Sequence, residues 1–209
     1  MHRTAMKEAD PCSGCATCCT AASFRGDVAR MPLTCPTLTR AEITKDASPY
    51  LNAELHSLMV AADDTPKMSD VRLRNRVEEL IAFAHGRGMK RIGIAFCVTL
   101  IREAQSLGRL LQEAGLEAWL VCCRVGAIDY ADIGLPKAHP ERFAAICNPV
   151  AQGRLLNDAR VELVVQIGLC IGHDLVLQDV CDAPVTTLVV KDRVFDHHPI
   201  QALRDVEPG

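Results

Sequence analysis

Cys12, Cys15 and Cys18 stand in a C-x2-C-x2-C run, Cys19 adjoins the third, and Cys35-Pro36 follows. Two-residue spacing lets one tight turn aim two sulfurs at a common metal or cluster, with thiolate as the ligating form. Three thiols at these intervals and a final Cys-Pro are also the ingredients of a ferredoxin-type run. Here the fourth thiol lies much farther along the chain, so the segment is no copy of one. Zinc accepts the same ligands. Disulfide exchange by a C-x-x-C dithiol is a third use, but it needs neither a third nor a fourth cysteine. Cys18 and Cys19 compete for the third ligand position, and the sequence leaves both open.

A second set of thiols is scattered: Cys97, Cys122, Cys123, Cys147 and Cys170. The elements around them explain why they belong together. "RIGIAF" (91–96), "EAWLVC" (117–122), "ELVVQIG" (162–168) and "PVTTLVVK" (184–191) read as buried strands, and "FAAIC" (143–147) as a short strand or the approach to a turn. Helical patterns lie between them at 100–115, 149–159 and 173–181, and an amphipathic helix precedes them from Ser69 to about His85. That helix carries its apolar face on Val71, Val77, Leu80, Ile81 and Ala84. Strands that are continuous apolar runs alternating with helices predict an α/β fold, doubly wound, with a mainly parallel sheet of about four to five strands. In such a sheet the carboxyl ends of the strands share one edge, where ligands bind and helix N-termini favour thiolate. Cys97, Cys123, Cys147 and Cys170 each fall at or near a strand end, which predicts one shared site. A cysteine is also a small apolar side chain that suits a core. Four at successive strand ends is the pattern of a site. Cys122 and Cys123 point to opposite faces, and Cys123, nearer the exit, is the expected ligand. Cys181, late in a helix, is expected in the core.

Other residues fall on the same edge. His173 follows Cys170 in "CIGHD"; Lys191 and Arg193 end the last strand. These three are the catalytic candidates, as proton donor or as cations for an anionic substrate or cluster. Gly168 and Gly172 flank Cys170, suiting either a tight strand-to-helix turn or close approach of a cofactor. His197 and His198 precede Pro199 as surface residues or a lid. No G-x-G-x-x-G follows a strand, so the dinucleotide fingerprint is absent.

Composition sets the bounds. The 209 residues are 49% hydrophobic and 4% aromatic with a net charge of -3, which predicts one aliphatic-cored domain plus an appendage. Without a basic stripe or stacking aromatics, nucleic acid is not an expected partner. No run reaches about 18 uninterrupted apolar residues, so no membrane span is expected. The first ten residues hold no apolar h-region, so no secretory leader is expected and the expected address is cytoplasmic. Eleven cysteines in such a chain point to metal or redox chemistry rather than disulfides.

"GLCIGHD" (168–174), "APVTTLVVKDRV" (183–194) and "HHP" (197–199) resemble a microbial family of unknown function, DUF1847, whose members are commonly labelled metal-binding. "AFC" (95–97), "CRVGAI" (123–128), "CNP" (147–149) and "MPLTCP" (31–36) match its other landmarks. The resemblance covers almost the whole chain and implies cysteine-based metal binding.

The resulting expectation is a cysteine-rich metal-binding segment over 1–38 and an α/β domain over 39–209. Thiolates Cys12, Cys15, Cys18 or Cys19, and Cys35 form one group, and Cys97, Cys123, Cys147 and Cys170 another. They suit two iron–sulfur clusters of the [4Fe–4S] type, or one larger cluster. The expected function is redox or electron transfer with a redox partner protein, or reduction of a small-molecule substrate. The alternatives are a non-catalytic zinc or metal-handling protein and a thiol–disulfide oxidoreductase.

Overall fold

A computed structural model describes residues 25–31, 33–69 and 72–204. The chain forms two compact units, Met1–Val60 and Ala61–Gly209; the sequence places its own boundary after residue 38. Within the first unit, Pro36–Thr39 (α1) and Ala41–Thr44 (α2) are single turns. Ala53–Asp64 (α3) follows a 3-10 turn at Ser48–Leu51 and runs into the second unit. Pro36 begins α1 because its missing N–H falls where a helix leaves that donor unpaired anyway. Just ahead of it, Cys35 is buried with Met31 against Leu38.

The second unit opens with Lys67–Ser69 (β1) and Arg72–Leu73 (β2), a small antiparallel pair. The helix expected from Ser69 instead begins at Arg76 (α4, Arg76–Gly86). Asn75 caps it: its side chain accepts the Val77 and Glu78 amides, while Glu78 reaches back to the Asn75 amide. This reciprocal capping box fixes the start. Leu80 and Ala84 are buried on its inner face, with Val77 and Ile81 packed beside them.

Four parallel strands follow: Arg91–Phe96 (β3), Glu117–Cys122 (β4), Leu163–Ile167 (β5) and Val185–Val189 (β6), in the order β4-β3-β5-β6. Between them run Ile101–Glu113 (α5), Pro149–Asp158 (α6) and His173–Val180 (α7), and Ile200–Arg204 (α8) closes the set of eight α-helices among the described residues. Residue alternation sorts the two faces. Ile92, Ile94 and Phe96 with Leu163, Val165 and Ile167 pack under α4 and α5. Ala95, Cys97 and Val164 pack on the other side with Leu156 of α6 and Leu177 of α7. Both faces are covered, so β3 and β5 are almost wholly apolar, with Arg91 at the start of β3 and the buried Gln166 in β5 as the exceptions. "FAAIC" is no strand; only Ala145 bridges, to Asp129. The Tyr130 amide donates to the Ala144 carbonyl, the Ile146 amide to Ile128, and the Ala144 amide to the Asp129 carboxylate. These bonds close the long excursion between β4 and α6, and the segment's polar backbone is satisfied there. Among the described residues no helix is long and apolar enough to cross a membrane.

Candidate functional site

The chain leaves β3 for α5 on one face and leaves β5 for α7 on the other. The topology therefore reverses between these neighbours, and it is beyond the carboxyl ends at such a point that open α/β sheets bind ligands. Cys97 is the first residue past β3, and its amide donates to Ile167 O at 3.0 Å. Cys123 is the first past β4, donating to Phe96 O at 2.8 Å and accepting the Asn148 amide at 2.7 Å. That last bond brings Cys147, just ahead of α6, to the same edge. The Gly168 amide donates to Val189 O at 2.7 Å, and Cys170 lies two residues on.

The four thiols are not equivalent. Cys97 Sγ is 3.3 Å from Thr99 Oγ1, and Lys191 Nζ donates to that hydroxyl at 2.9 Å. Burial opposes ionisation of Cys97. The Thr99 hydroxyl and amide outweigh it with the Lys191 ammonium and hold the thiol below its ordinary pKa. Cys123 is only 2% exposed. Burial pushes it up to about 12, although its sulfur accepts the Val98 amide at 3.3 Å; the charges of Cys147, Cys97 and Cys122 push the same way. Cys170 Sγ accepts from Arg193 Nη2 at 3.0 Å, and this bond holds the guanidinium firmly protonated, with Cys97 and Cys147 adding to the effect. Cys123 feels Cys147 and Cys97, and Arg193 feels Cys170, Cys97 and Cys147.

Sulfur donors of this kind suit iron–sulfur clusters and zinc. Cys123 supplies the test of fit: a buried thiol crowded by other thiols ionises readily only if a positive centre joins them, which a metal provides. Among the described residues, no three histidine, cysteine or acidic side chains are gathered into a set able to hold one metal ion. A cluster takes its thiolates on separate irons, whereas zinc needs all its sulfurs at about 2.3 Å from one point.

The remaining expected residues divide. Cys12, Cys15, Cys18 and Cys19 lie outside the described residues. Cys35 is buried in the first unit. Cys122 packs against the cores on both faces. Cys181 ends α7, at the opposite edge of the sheet, where burial pushes it up to about 11. His173 is the first residue of α7, its amide on Cys170 O. Gly168 and Gly172 both have positive φ, 61° and 91°, so the turn alone requires them. Sequence reasoning missed Thr99 and the Val98 amide, the groups that set Cys97 and Cys123 apart. The signal was a hydroxyl residue two places past Cys97, at the entry to a helix. It also missed Gln152 on α6, fully buried, whose Nε2 donates to Val121 O at 2.7 Å and Phe96 O at 3.3 Å and ties the ends of β3 and β4 together.

Known proteins bear on this edge. An uncharacterized protein of Methanocaldococcus jannaschii is 40% identical over 130 residues, 62% of this chain and 67% of that protein. A gas vesicle ATPase, GvpN of Ancylobacter aquaticus, is 26% identical over 127 residues, 61% of this chain and 34% of that protein. No solved structure matches. The model of the DUF1847 family, described as a protein of unknown function, matches residues 35–188, a span that takes in Cys35 and all four strand-end thiols, and the chain belongs to that family.

Proposed function

We propose that this chain is an iron–sulfur redox protein. Cys97, Cys123, Cys147 and Cys170 hold a cluster at the sheet edge, and Cys12, Cys15, Cys18 or Cys19, and Cys35 hold a second. When bound, such a cluster supplies one-electron transfer, to a redox partner protein or to a small molecule at the crevice. The observation that supports the reading is geometric: Cys97, Cys123 and Cys170 follow the carboxyl ends of β3, β4 and β5, and the Asn148 amide on Cys123 O brings Cys147 to the same edge. Lys191 and Arg193 offset the negative charge gathered there, Thr99 orients Cys97, and the Val98 amide holds the Cys123 sulfur. The cytoplasm is the matching compartment, because it keeps thiols reduced. The likeness to a gas vesicle ATPase is not carried over: the sequence has no Gly-Lys pair and hence no G-x-x-x-x-G-K-[ST] phosphate loop.

Anaerobic purification followed by iron, sulfide and zinc assays tests this. A brown protein is expected, and Cys→Ser at any of the four edge positions lowers iron and sulfide together while Cys181→Ser leaves both unchanged. A colourless protein with stoichiometric zinc would replace the cluster by the metal-handling alternative.

A second reading has its own observation. Cys97 is held down and the adjacent Cys123 is held up, the pairing of an attacking thiolate with a buried partner in thiol–disulfide exchange. A Cys97–Cys123 disulfide in mass spectra of the metal-free, oxidised protein, restored to thiols by dithiothreitol, would favour it.

A further inference from the structure

We propose that Lys191 and Arg193 form a clamp for a small oxyanion at the crevice between the carboxyl ends of β3 and β5. The inference rests on this edge being the working site and names what comes to it: a small molecule bearing a carboxylate, phosphate or sulfate group. The two cations stand two residues apart at the exit of β6 yet reach opposite sides of the crevice. Lys191 bonds Thr99, beyond β3, and Arg193 bonds Cys170, beyond β5.

Their loop is fixed from within. Asp192 Oδ1 accepts the Val194 and Phe195 amides at 2.8 and 2.9 Å, its amide donates to His197 Nδ1 at 3.2 Å, and its carbonyl accepts the His197 amide at 2.9 Å. Asp196 and His197 hold φ of 47° and 66°, which side-chain-bearing residues adopt only when their surroundings impose it. The acid between the cations is therefore spent on its own backbone. Among the described residues neither Lys191 nor Arg193 forms an ion pair with a carboxylate. The Lys191 stem is seated too: its Cε lies 3.6 Å from where a Cβ on the buried Gly168 would stand.

An ammonium carries three donors and a guanidinium five. The edge occupies Lys191 at Thr99 and Cys97 and Arg193 at Cys170, leaving most of the guanidinium fork, on an exposed residue, directed by a rigid loop. A planar fork beside a point charge is the pairing that recognises an oxyanion. The start of α7 contributes little, because Asp174 Oδ1 already accepts the Gly172 and Leu175 amides there at 2.9 and 2.8 Å.

The test uses the full chain, purified anaerobically, with inorganic phosphate, sulfate and acetate as probes in calorimetric titrations at low salt. One saturable site is expected for at least one probe, and which probe binds identifies the acidic group. Lys191→Met and Arg193→Gln each weaken it about tenfold or more, as loss of a charge-assisted bond requires. Lys191→Arg keeps binding, Arg154→Gln on the exposed side of α6 changes nothing, and the thermal midpoint holds in all four. The clamp is overturned if no probe saturates, or if the Lys191→Met/Arg193→Gln double variant binds as the wild type does. It is equally overturned if the variants lose iron and sulfide while binding is untouched, since the cations would then serve the cluster alone. Saturable, Lys191- and Arg193-dependent binding by protein without iron or sulfide would sustain the clamp and sink the cluster. Brown protein that binds no anion would do the reverse.

Discussion

Gly168 is where the turn after β5 meets the start of α5, and replacing it by alanine tests how that junction is built. A Cβ there would stand 2.3 Å from Leu100 Cδ1, and Leu100 is buried in the core under α5. The residue also has φ of 61°, a conformation that costs an L-residue about 1–2 kcal/mol. Overpacking a well-filled core adds about 1–3 kcal/mol. Stiffening the unfolded chain returns about 0.4–1 kcal/mol, so Gly168→Ala should destabilise by about 2–4 kcal/mol. Gly172→Ala is the matched control. Its φ is also positive, 91° with ψ of -42°, but nothing lies within 4 Å of its Cβ position, so only a conformational cost of about 1–3 kcal/mol remains and no coupling to a neighbour is expected. Urea denaturation of both variants measures the difference. Adding Leu100→Ala to Gly168→Ala should recover part of the loss, a coupling of about 1–3 kcal/mol in a double-mutant cycle. No coupling to Leu100 would show that the turn and not the close approach requires glycine at 168.

Gln152→Leu removes the tie between Val121 and Phe96 carbonyls and should cost about 1–2 kcal/mol in urea unfolding; an unchanged midpoint would mean that the tie contributes nothing. Cys123 keeps its proton in the folded state up to about 12, whereas an unfolded thiol loses it near 9. The stability it contributes is present below pH about 9 and is lost as pH rises toward 12, so Cys123→Ala should flatten the alkaline limb of stability against pH in the metal-free protein. Asp129 is lowered by the Ala131 amide and then by Lys137, which bridges it to the Arg142 carbonyl. Its contribution is present above the unfolded carboxylate pKa of about 4 and is lost as pH falls through the folded value. Protection factors for hydrogen exchange at residues 129–146 should therefore fall in acid, and Asp129→Asn should show that lower protection already at neutral pH.

Much of the fold was legible because apolar runs report burial directly. "RIGIAF" and "EAWLVC" match β3 and β4 residue for residue, because each is an apolar run bounded by a charged residue, Arg91 or Glu117, at its start. The helix read from Ser69 failed at its start because periodicity says nothing about caps; Asn75 and Glu78 decide it. "FAAIC" failed because five apolar residues look alike in a strand and in a loop that packs against a core, and here the hydrogen bonds go to Asp129 and Ile128. At the edge, the strand-end rule placed Cys97, Cys123 and Cys170 just past β3, β4 and β5, while Cys147 reaches the edge from a loop ahead of α6 and not from a strand. It said nothing of their differences. Those come from single contacts, Thr99 on one sulfur and the Val98 amide on another, that depend on how one turn of 3-10 helix leaves β3.

These differences give the edge its chemistry. Neighbouring thiols ionise one after another, because each charge opposes the next. Here Thr99 and Lys191 hold Cys97 below its ordinary pKa, Arg193 donates to Cys170, and burial keeps Cys123 protonated. Were the proposed cluster bound, Cys123 would have to give up the proton that burial holds on it, so the proposal expects binding at this edge to grow stronger as pH rises. The same residue lies against the core beside α6, bonded through its backbone to Phe96 and Asn148. On that proposal, ionising it would act on the junction of β3, β4 and α6, and occupancy of the edge would be linked to the stability of the sheet.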